Sequence, residues 1–524
     1  MVYPGNSSQK GRPGKSNRTG RLKRRRISRY IYNWLTLSGL LIVSISLFLI
    51  LIVFLLEFFS GLSSSYLGIV YLILLTGIFL GMFMVPVGML IEKRAQTRGA
   101  TSIIFSRWTI DFSKKAHRNI VITFILSSIL IALCGGVGTY KAYHLTEKTD
   151  FCGSLCHVVM KPEWTTYQNS AHARVKCVEC HIGPGAGWYI RSKASGIRQV
   201  LAVMKNSFPR PIPTPITNLR PAQDTCEECH WPGRFIGYRE TIKNYYLADE
   251  KNTPHNLRLL MNIGGQRGAS LGGGIHYHML MAGRIEYIAR DDNRQEIPFV
   301  RITRKDGSKE EFNNNELPLT KEEKSQFQTR VLDCMDCHNR PAHQFNTPGD
   351  TVNTAMASGE ISTALPFIKR EAVRSLDGEY ASTDEAITAI ASQLREFYKK
   401  NYPAIFSREE VMLSRAIDKV QNIYRNNIFP EMKVSWHNYP NNLGHREWPG
   451  CFRCHNDSMV SENGNKLFRD CNTCHLILTQ DANQPVTEVD FNKGLSFTHP
   501  ADGETFDEFV NCNECHSLGS EIYE

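Results

Sequence analysis

The pentapeptide C-x-x-C-H occurs six times in this chain of 524 residues: Cys177/Cys180/His181, Cys226/Cys229/His230, Cys334/Cys337/His338, Cys451/Cys454/His455, Cys471/Cys474/His475 and Cys512/Cys515/His516. A seventh copy, Cys152/Cys156/His157, has one extra residue between its cysteines. With 15 Cys and 17 His in the chain, chance supplies about 0.01 copies of the strict pattern. C-x-x-C-H is the attachment motif of c-type haem. Its two thiols bond the haem edge, and the next residue places its imidazole under the iron. A chain carrying seven such groups has little apolar core of its own per residue, because the haems supply packing volume. The expected fold is mainly α with much loop, plus a small β insertion.

The signatures use 14 of the 15 cysteines, leaving Cys134 inside an apolar segment. No disulfide framework is left to build. Zinc sites need a second ligand pair at a set spacing and no His directly after each second Cys, so the repeated Cys-His step points away from zinc. Seven His serve as proximal ligands: His157, His181, His230, His338, His455, His475 and His516. His117 and His144 lie at membrane edges, and His255 lies in a polar stretch. The other seven, His172, His276, His278, His343, His437, His445 and His499, nearly match the demand for a second axial ligand on each iron. Low-spin, six-coordinate haems exchange electrons with little rearrangement, and the axial ligands help set each potential. Gly272 to Gly274 followed by Ile275-His276-Tyr277-His278 reads as a close backbone approach and then a strand. Alternation would put both His on one face of it, one for iron and one for a propionate. Met160, three residues after His157, is the exceptional distal candidate, since Met ligation raises a haem potential relative to His/His.

Three segments, 34–59, 66–91 and 119–141, are apolar and long enough to span a bilayer as helices, which takes about 20 residues. The first is too long for a signal-peptide core and lacks a small-residue cleavage site. Residues 1–33 hold ten Lys and Arg and no acid, and the 92–118 loop holds seven against Glu92 and Asp111. The positive-inside rule places both in the cytoplasm and everything after about residue 144 outside it. The basic tail sits directly against a helix and lacks aromatics until Tyr30, which favours anionic lipid over nucleic acid. No His lies within the three apolar cores, so a membrane-embedded b-type haem, which takes its ligands from the helices, is excluded. Behind the third span come a haem region at 145–240 with three signatures, a β-containing insertion at 241–325, and a segment at 326–430 with the fourth signature. In that segment, helical periodicity runs from Gly359 to Lys400 and from Ser407 to Asn426. A C-terminal module at 431–524 holds the last three signatures.

The stretch CGSLCHVVMKPEWTTYQNSAHARVKCVECH, from Cys152 to His181, resembles the NapC/NirT family of membrane-anchored multihaem quinol dehydrogenases. An apolar helix precedes a first signature with a nearby Met, and Tyr167, Ser170 and His172 lead to the second. The resemblance covers roughly residues 119–240 and implies a quinol pocket beside the first haem at the membrane surface, with ligation involving Met160. Lys193 looks like the family's pocket lysine, and Gln199 stands where the family often has an acid. Lys141, Tyr143, His144 and Lys176 are further pocket candidates. Three helices followed by seven haems also resemble the inner-membrane cytochromes of bacteria that respire extracellular metal oxides. The resemblance implies that quinol, menaquinol by expectation, is oxidised near the first haem, with electrons passed to a periplasmic c-type cytochrome. The first two helices suit a homo-oligomer or a partner membrane subunit. Two other readings stand beside this one. A relay fed by a separate dehydrogenase fits the same composition. A terminal reductase needs an open iron site, which a surplus of His and no signature ending in Lys argue against.

Overall fold

The computed structural model describes residues 33–60, 65–97, 112–113, 115, 118–119, 122, 140–141, 143–154, 157–184, 186–214, 216, 219–264, 274–280, 283–467, 471–481, 490, 493–500 and 511–516. Its packing divides into two units, Met1–Glu147 with Pro184–Ser195, and Lys148–Gly183 with Gly196–Glu524.

In the first unit, helices α1 (Trp34–Ser60) and α2 (Ser65–Thr97) contain the stretches Trp34–Val53 and Ile73–Ala95, each long and apolar enough to cross a membrane. They run antiparallel on a seam of small residues. A Cβ on Gly39 would come within 2.7 Å of the Gly81 carbonyl oxygen, and one on Gly77 within 2.6 Å of Ser46 Oγ. In hydrocarbon no hydrophobic force pulls helices together, so close packing of small residues has to hold them. Phe48, Phe79 and Phe83 point outward and are exposed. Asn33 caps α1, its side-chain oxygen accepting the Thr36 N–H at 2.8 Å. The described residues thus show two apolar spanning helices where the sequence suggests three. The expected third, 119–141, lies almost wholly outside them, as do the basic tail, most of the 92–118 loop and Cys134.

The second unit opens with a short helix, Thr149–Ser154, followed by α3 (His157–Gln168). Helix α4 (Ala186–Met204) belongs to the first unit up to Ser195 and to the second from Gly196. Eight strands follow: β1 (Gly237–Tyr246), β2 (Pro254–Gly264), β3 (Arg284–Ile288), β4 (Phe299–Thr303), β5 (Lys309–Asn314), β6 (Arg330–Val331), β7 (Met459–Ser461) and β8 (His475–Thr479). They make two antiparallel sheets, ordered β1-β2-β8 and β6-β3-β4-β5-β7. The expected strands at Ile285–Ala289 and Phe299–Thr303 appear as β3 and β4, and Gly307, at φ +85°, turns the β4–β5 hairpin. The β structure is larger than the expected insertion. Strands β7 and β8 come from the C-terminal module, and β8 begins at the signature residue His475, paired with Met261 of β2.

A helical subassembly completes the unit: α5 (Pro348–Ala357), α6 (Ile368–Leu376), α7 (Thr383–Asn401) and α8 (Glu410–Asn427). Helix α7 buries Ala386, Ile390, Leu394 and Tyr398, one residue per turn, against Leu413, Ile417, Val420 and Tyr424 of α8. Each large side chain buried there contributes about 1.5–3 kcal/mol. The expected helix from Gly359 to Lys400 is broken between Leu376 and Thr383, where Gly378 interrupts the pattern and Ser382 caps α7 by accepting the Glu385 N–H at 3.2 Å.

Candidate haem centres

Each described signature occupies roughly one helical turn. Cys177–His181, Cys334–Cys337, Cys471–Cys474 and Cys512–His516 are α-helical, Gly450–Arg453 is a 3₁₀ turn, and Ala222–Cys226 ends on its first cysteine. The ligand residue's own N–H closes the turn on the first cysteine's carbonyl, at 2.7 Å for His230, 2.8 Å for His338 and 3.0 Å for His455. Residues three and four apart share a helix face, so two thiols and an imidazole present together.

Each of the six signature histidines with a described side chain faces a second histidine. Ring centroids are 6.3 Å apart for His181 and His343, 6.0 Å for His230 and His172, and 6.4 Å for His338 and His276. They are 5.6 Å apart for His455 and His278, 6.2 Å for His475 and His445, and 6.3 Å for His516 and His499. A transition metal bonds an imidazole nitrogen at about 2 Å, so two rings flanking one iron have centroids roughly 6 Å apart. Four of the second histidines are also oriented for ligation. Their Nδ1 atoms meet backbone carbonyls, His172 at Pro341 (3.1 Å), His276 at Ile263 (3.1 Å), His278 at Ile275 (2.9 Å) and His343 at Glu163 (2.9 Å). A carbonyl only accepts, so Nδ1 carries the proton and the Nε2 lone pair points away from it. Burial also holds His343, His475 and His516 down to about 4 and pushes His278 and His445 below the usual imidazole range. The rings are therefore in the neutral form that binds metal. These residues fit haem iron on both faces.

Two expectations come out differently. His276 and His278 do not share a strand face. Gly274, at φ +76° and packed against Gly264, turns the chain into a short helix, Tyr277–Leu280, and the two rings go to different signatures. Cys229 lies beyond the end of the helix that closes on Cys226 and is exposed. Pro232 holds Trp231 extended, at φ −88° and ψ 112°, so the chain is already leaving the helix there. The Cys229 N–H still reaches the Cys226 carbonyl at 3.2 Å, which keeps the two cysteines in one turn of backbone at the protein surface. His437 faces no signature histidine; it stacks on Trp436 and meets Asp377 Oδ1 at 3.1 Å. At the first signature, Cys156 and the side chain of His157 lie outside the described residues, as do the side chains of Cys471 and Cys515. Met160 is half-buried on α3, one turn after His157.

The first four signatures pack in chain order. Thr149–Ser154, holding Cys152, touches Cys177–His181; this touches Ala222–Cys226, which touches Cys334–Cys337. The side chains of Cys152 and Cys177 lie beside each other, as do those of Cys226 and Cys334. The fourth and fifth signatures join through a network absent from the sequence reading. The Asp336 carboxylate, 1% exposed, accepts from Tyr287 Oη (2.6 Å), Arg294 (2.9 Å) and Arg330 (2.8 Å). Its backbone carbonyl accepts from Arg453 at 2.7 Å.

The quinol-pocket candidates fall in both units. In the first, Tyr143 is buried with its ring 5.5 Å from Tyr189, His144 stacks edge-on with Tyr140, and Lys193 Nζ lies 4.9 Å over the Tyr189 ring. Burial raises the Tyr189 phenol, and a hydrogen bond with Thr146 opposes it. Lys141 is exposed. In the second unit, Lys176 is exposed just before Cys177, and Gln199 is exposed on α4, about a third of a turn around the helix from Lys193.

The NapC/NirT cytochrome c family, N-terminal region, matches residues 114–211. Over 499 residues, 95% of this chain and 97% of the relative, the sequence is 40% identical to the cytochrome c-type protein ImcH of Geobacter sulfurreducens. The chain belongs to the NapC/NirT family of c-type cytochromes. Membership brings covalently bound haem, electron transport and membrane anchoring. Another family relative, the cytochrome c-type protein NrfH of Wolinella succinogenes, is 33% identical over 105 residues, 20% of this chain and 59% of that protein. No solved structure matches this NapC/NirT cytochrome.

Proposed function

We propose that this chain is a seven-haem quinol:cytochrome c oxidoreductase of the bacterial inner membrane. It oxidises menaquinol beside the first haem and hands the electrons, one at a time, to a periplasmic c-type cytochrome. The observation that supports this reading is the packing of the first four signatures in chain order, the tie from the fourth to the fifth, and a facing histidine for each of the last six. Three spans, 34–59, 66–91 and 119–141, anchor it with the N-terminus in the cytoplasm.

When bound, the haems supply reversible one-electron chemistry. The paired cysteines would attach the haems, and the facing histidines would hold the iron: His343 at the second centre, His172 at the third, His276 at the fourth, His278 at the fifth, His445 at the sixth and His499 at the seventh. Met160 would serve the first. Quinol loses two electrons to the chain and two protons to the periplasmic side, with Lys193 the candidate pocket lysine.

Anaerobic stopped-flow mixing of the oxidised protein with a menaquinol analogue tests this. Rapid, inhibitor-sensitive growth of the reduced c-haem band is expected. Full reduction by dithionite with none by quinol would leave a relay fed by another membrane dehydrogenase. Intact mass tests the haem count, seven expected.

A further inference from the structure

We infer that the fourth and fifth haem centres form one fixed pair, and that Arg453 both positions it and supplies a buried positive charge that favours its reduction. The inference rests on reading Cys334/Cys337/His338 and Cys451/Cys454/His455 as haem sites. Two separate tethers join them.

On one side, the facing histidines come from a single turn of chain. His276 goes to His338 and His278 to His455, with only Tyr277 between them. Their rings are oriented by the carbonyls of Ile263 and Ile275, and the His276 N–H also bonds the Ile263 carbonyl at 3.1 Å. Neither ring can shift far without moving the other.

On the other side stands Arg453, 8% exposed, between the two thiols of the fifth signature. Its Nε donates to the Gly450 carbonyl at 2.8 Å, its Nη1 to that of Arg294 at 2.8 Å, and its Nη2 to that of Asp336 at 2.7 Å. Asp336 lies between the two thiols of the fourth signature. Asn442, buried beside it, donates to the same Asp336 carbonyl at 3.0 Å. One guanidinium thus ties its own haem turn to the middle of its neighbour's. Only the rigid, planar fork of arginine reaches three carbonyls at once; a lysine offers a point charge on a flexible stem.

The charge is not cancelled locally. Asp336 pairs with Arg294 and Arg330, and Asp333 with Arg330. Two carboxylates therefore stand against three guanidiniums, and Arg453 is the one whose three nitrogens all bond carbonyls. A fixed cation in a low-dielectric interior disfavours the oxidised state of a nearby iron, which carries one more positive charge than the reduced state.

The test uses the full-length holoprotein with Arg453→Gln and Arg453→Lys. Intact mass is read first, so that lost attachment at either signature, which would undermine the haem reading itself, is separated from failure of the inference. Potentiometric titration followed by electron paramagnetic resonance is read next. In Arg453→Gln, two midpoints are expected to fall by a tenfold change in reduction equilibrium, 59 mV for a one-electron couple, with the others unmoved. Arg453→Lys is expected to restore those midpoints but alter the magnetic interaction between the two haems, because the charge returns without the fork. Unmoved midpoints in Arg453→Gln, or a uniform shift of every haem, would overturn the inference. Should Gln block haem loading, the wild-type titration still decides: absence of any interacting pair of haems rules the fixed pair out.

Discussion

His278 and His455 face each other with their Nε2 atoms 3.4 Å apart, although 177 residues separate them in the chain. His276, two positions before His278, is committed to a different partner, His338. Replacing His278 with Ala should therefore convert one haem, and only one, to a high-spin centre while the haem count by mass stays the same. His278→Met should keep that centre six-coordinate and raise its potential. A single variant that disturbed two centres would contradict the pairing.

His437 makes a contrasting case. It rests on Trp436 and Asp377, and its side chain is 47% exposed. His437→Ala should leave every haem low-spin and change stability by no more than about 1 kcal/mol. Optical spectra and a melting curve check both parts. A new high-spin signal would make His437 a ligand after all.

Lys193 lies over the Tyr189 ring, where its charge can act on a developing quinol anion. Lys193→Ala should slow quinol-driven reduction roughly a hundredfold and leave dithionite reduction untouched. Equal quinol rates in variant and wild type would remove Lys193 from the pocket.

Stability should depend on the helical subassembly. Leu394 is 1% exposed between α7 and α8. Leu394→Ala should cost about 2–5 kcal/mol, read as a lower melting temperature with haem content unchanged.

Lys369 gives a pH dependence. Its ammonium donates to the Gly349 carbonyl at 2.6 Å, and burial, aided by Arg446 and opposed by Asp350 and Glu447, pushes it down to about 7 from the usual 10.5. Between those values the unfolded chain holds the proton that the folded chain has lost, so stability rises with pH across that window and is flat with respect to this group below it. Lys369→Met should flatten the slope between pH 7 and 10. An identical slope in wild type and variant would show that Lys369 does not titrate there.

What the sequence reveals here follows its spacing. Attachment signatures are legible because two thiols and an imidazole must be neighbours in the chain to share one helical turn. Where a nearby proline pulls the chain away, as after Cys229, the spacing survives but the helix does not. The facing histidines are legible as a set, since their number nearly matches the demand, but not as pairs: His343 meets His181 from far along the chain, and no local pattern encodes that. The period-two reading of His276 and His278 failed where Gly274, free to take a positive φ against Gly264, replaces a strand with a turn. Strand β7 is three residues long, too short for alternation to register, and β8 is obscured by a signature running straight into it. The Asp336–Arg453 network gave no signal beyond an acid and a base in the variable positions of two signatures. Those positions tolerate many residues, so the motif itself does not mark them.

Strand β8 begins on His475 and pairs with β2. In a chain extending only as far as residue 450, β2 has β1 on one flank and bare amides on the other, a surface open to mispairing. The last strand of that sheet arrives with the ligand residue of the sixth signature as its first residue. Under the proposed function, haem ligation there would fall on the very residue from which the sheet closes.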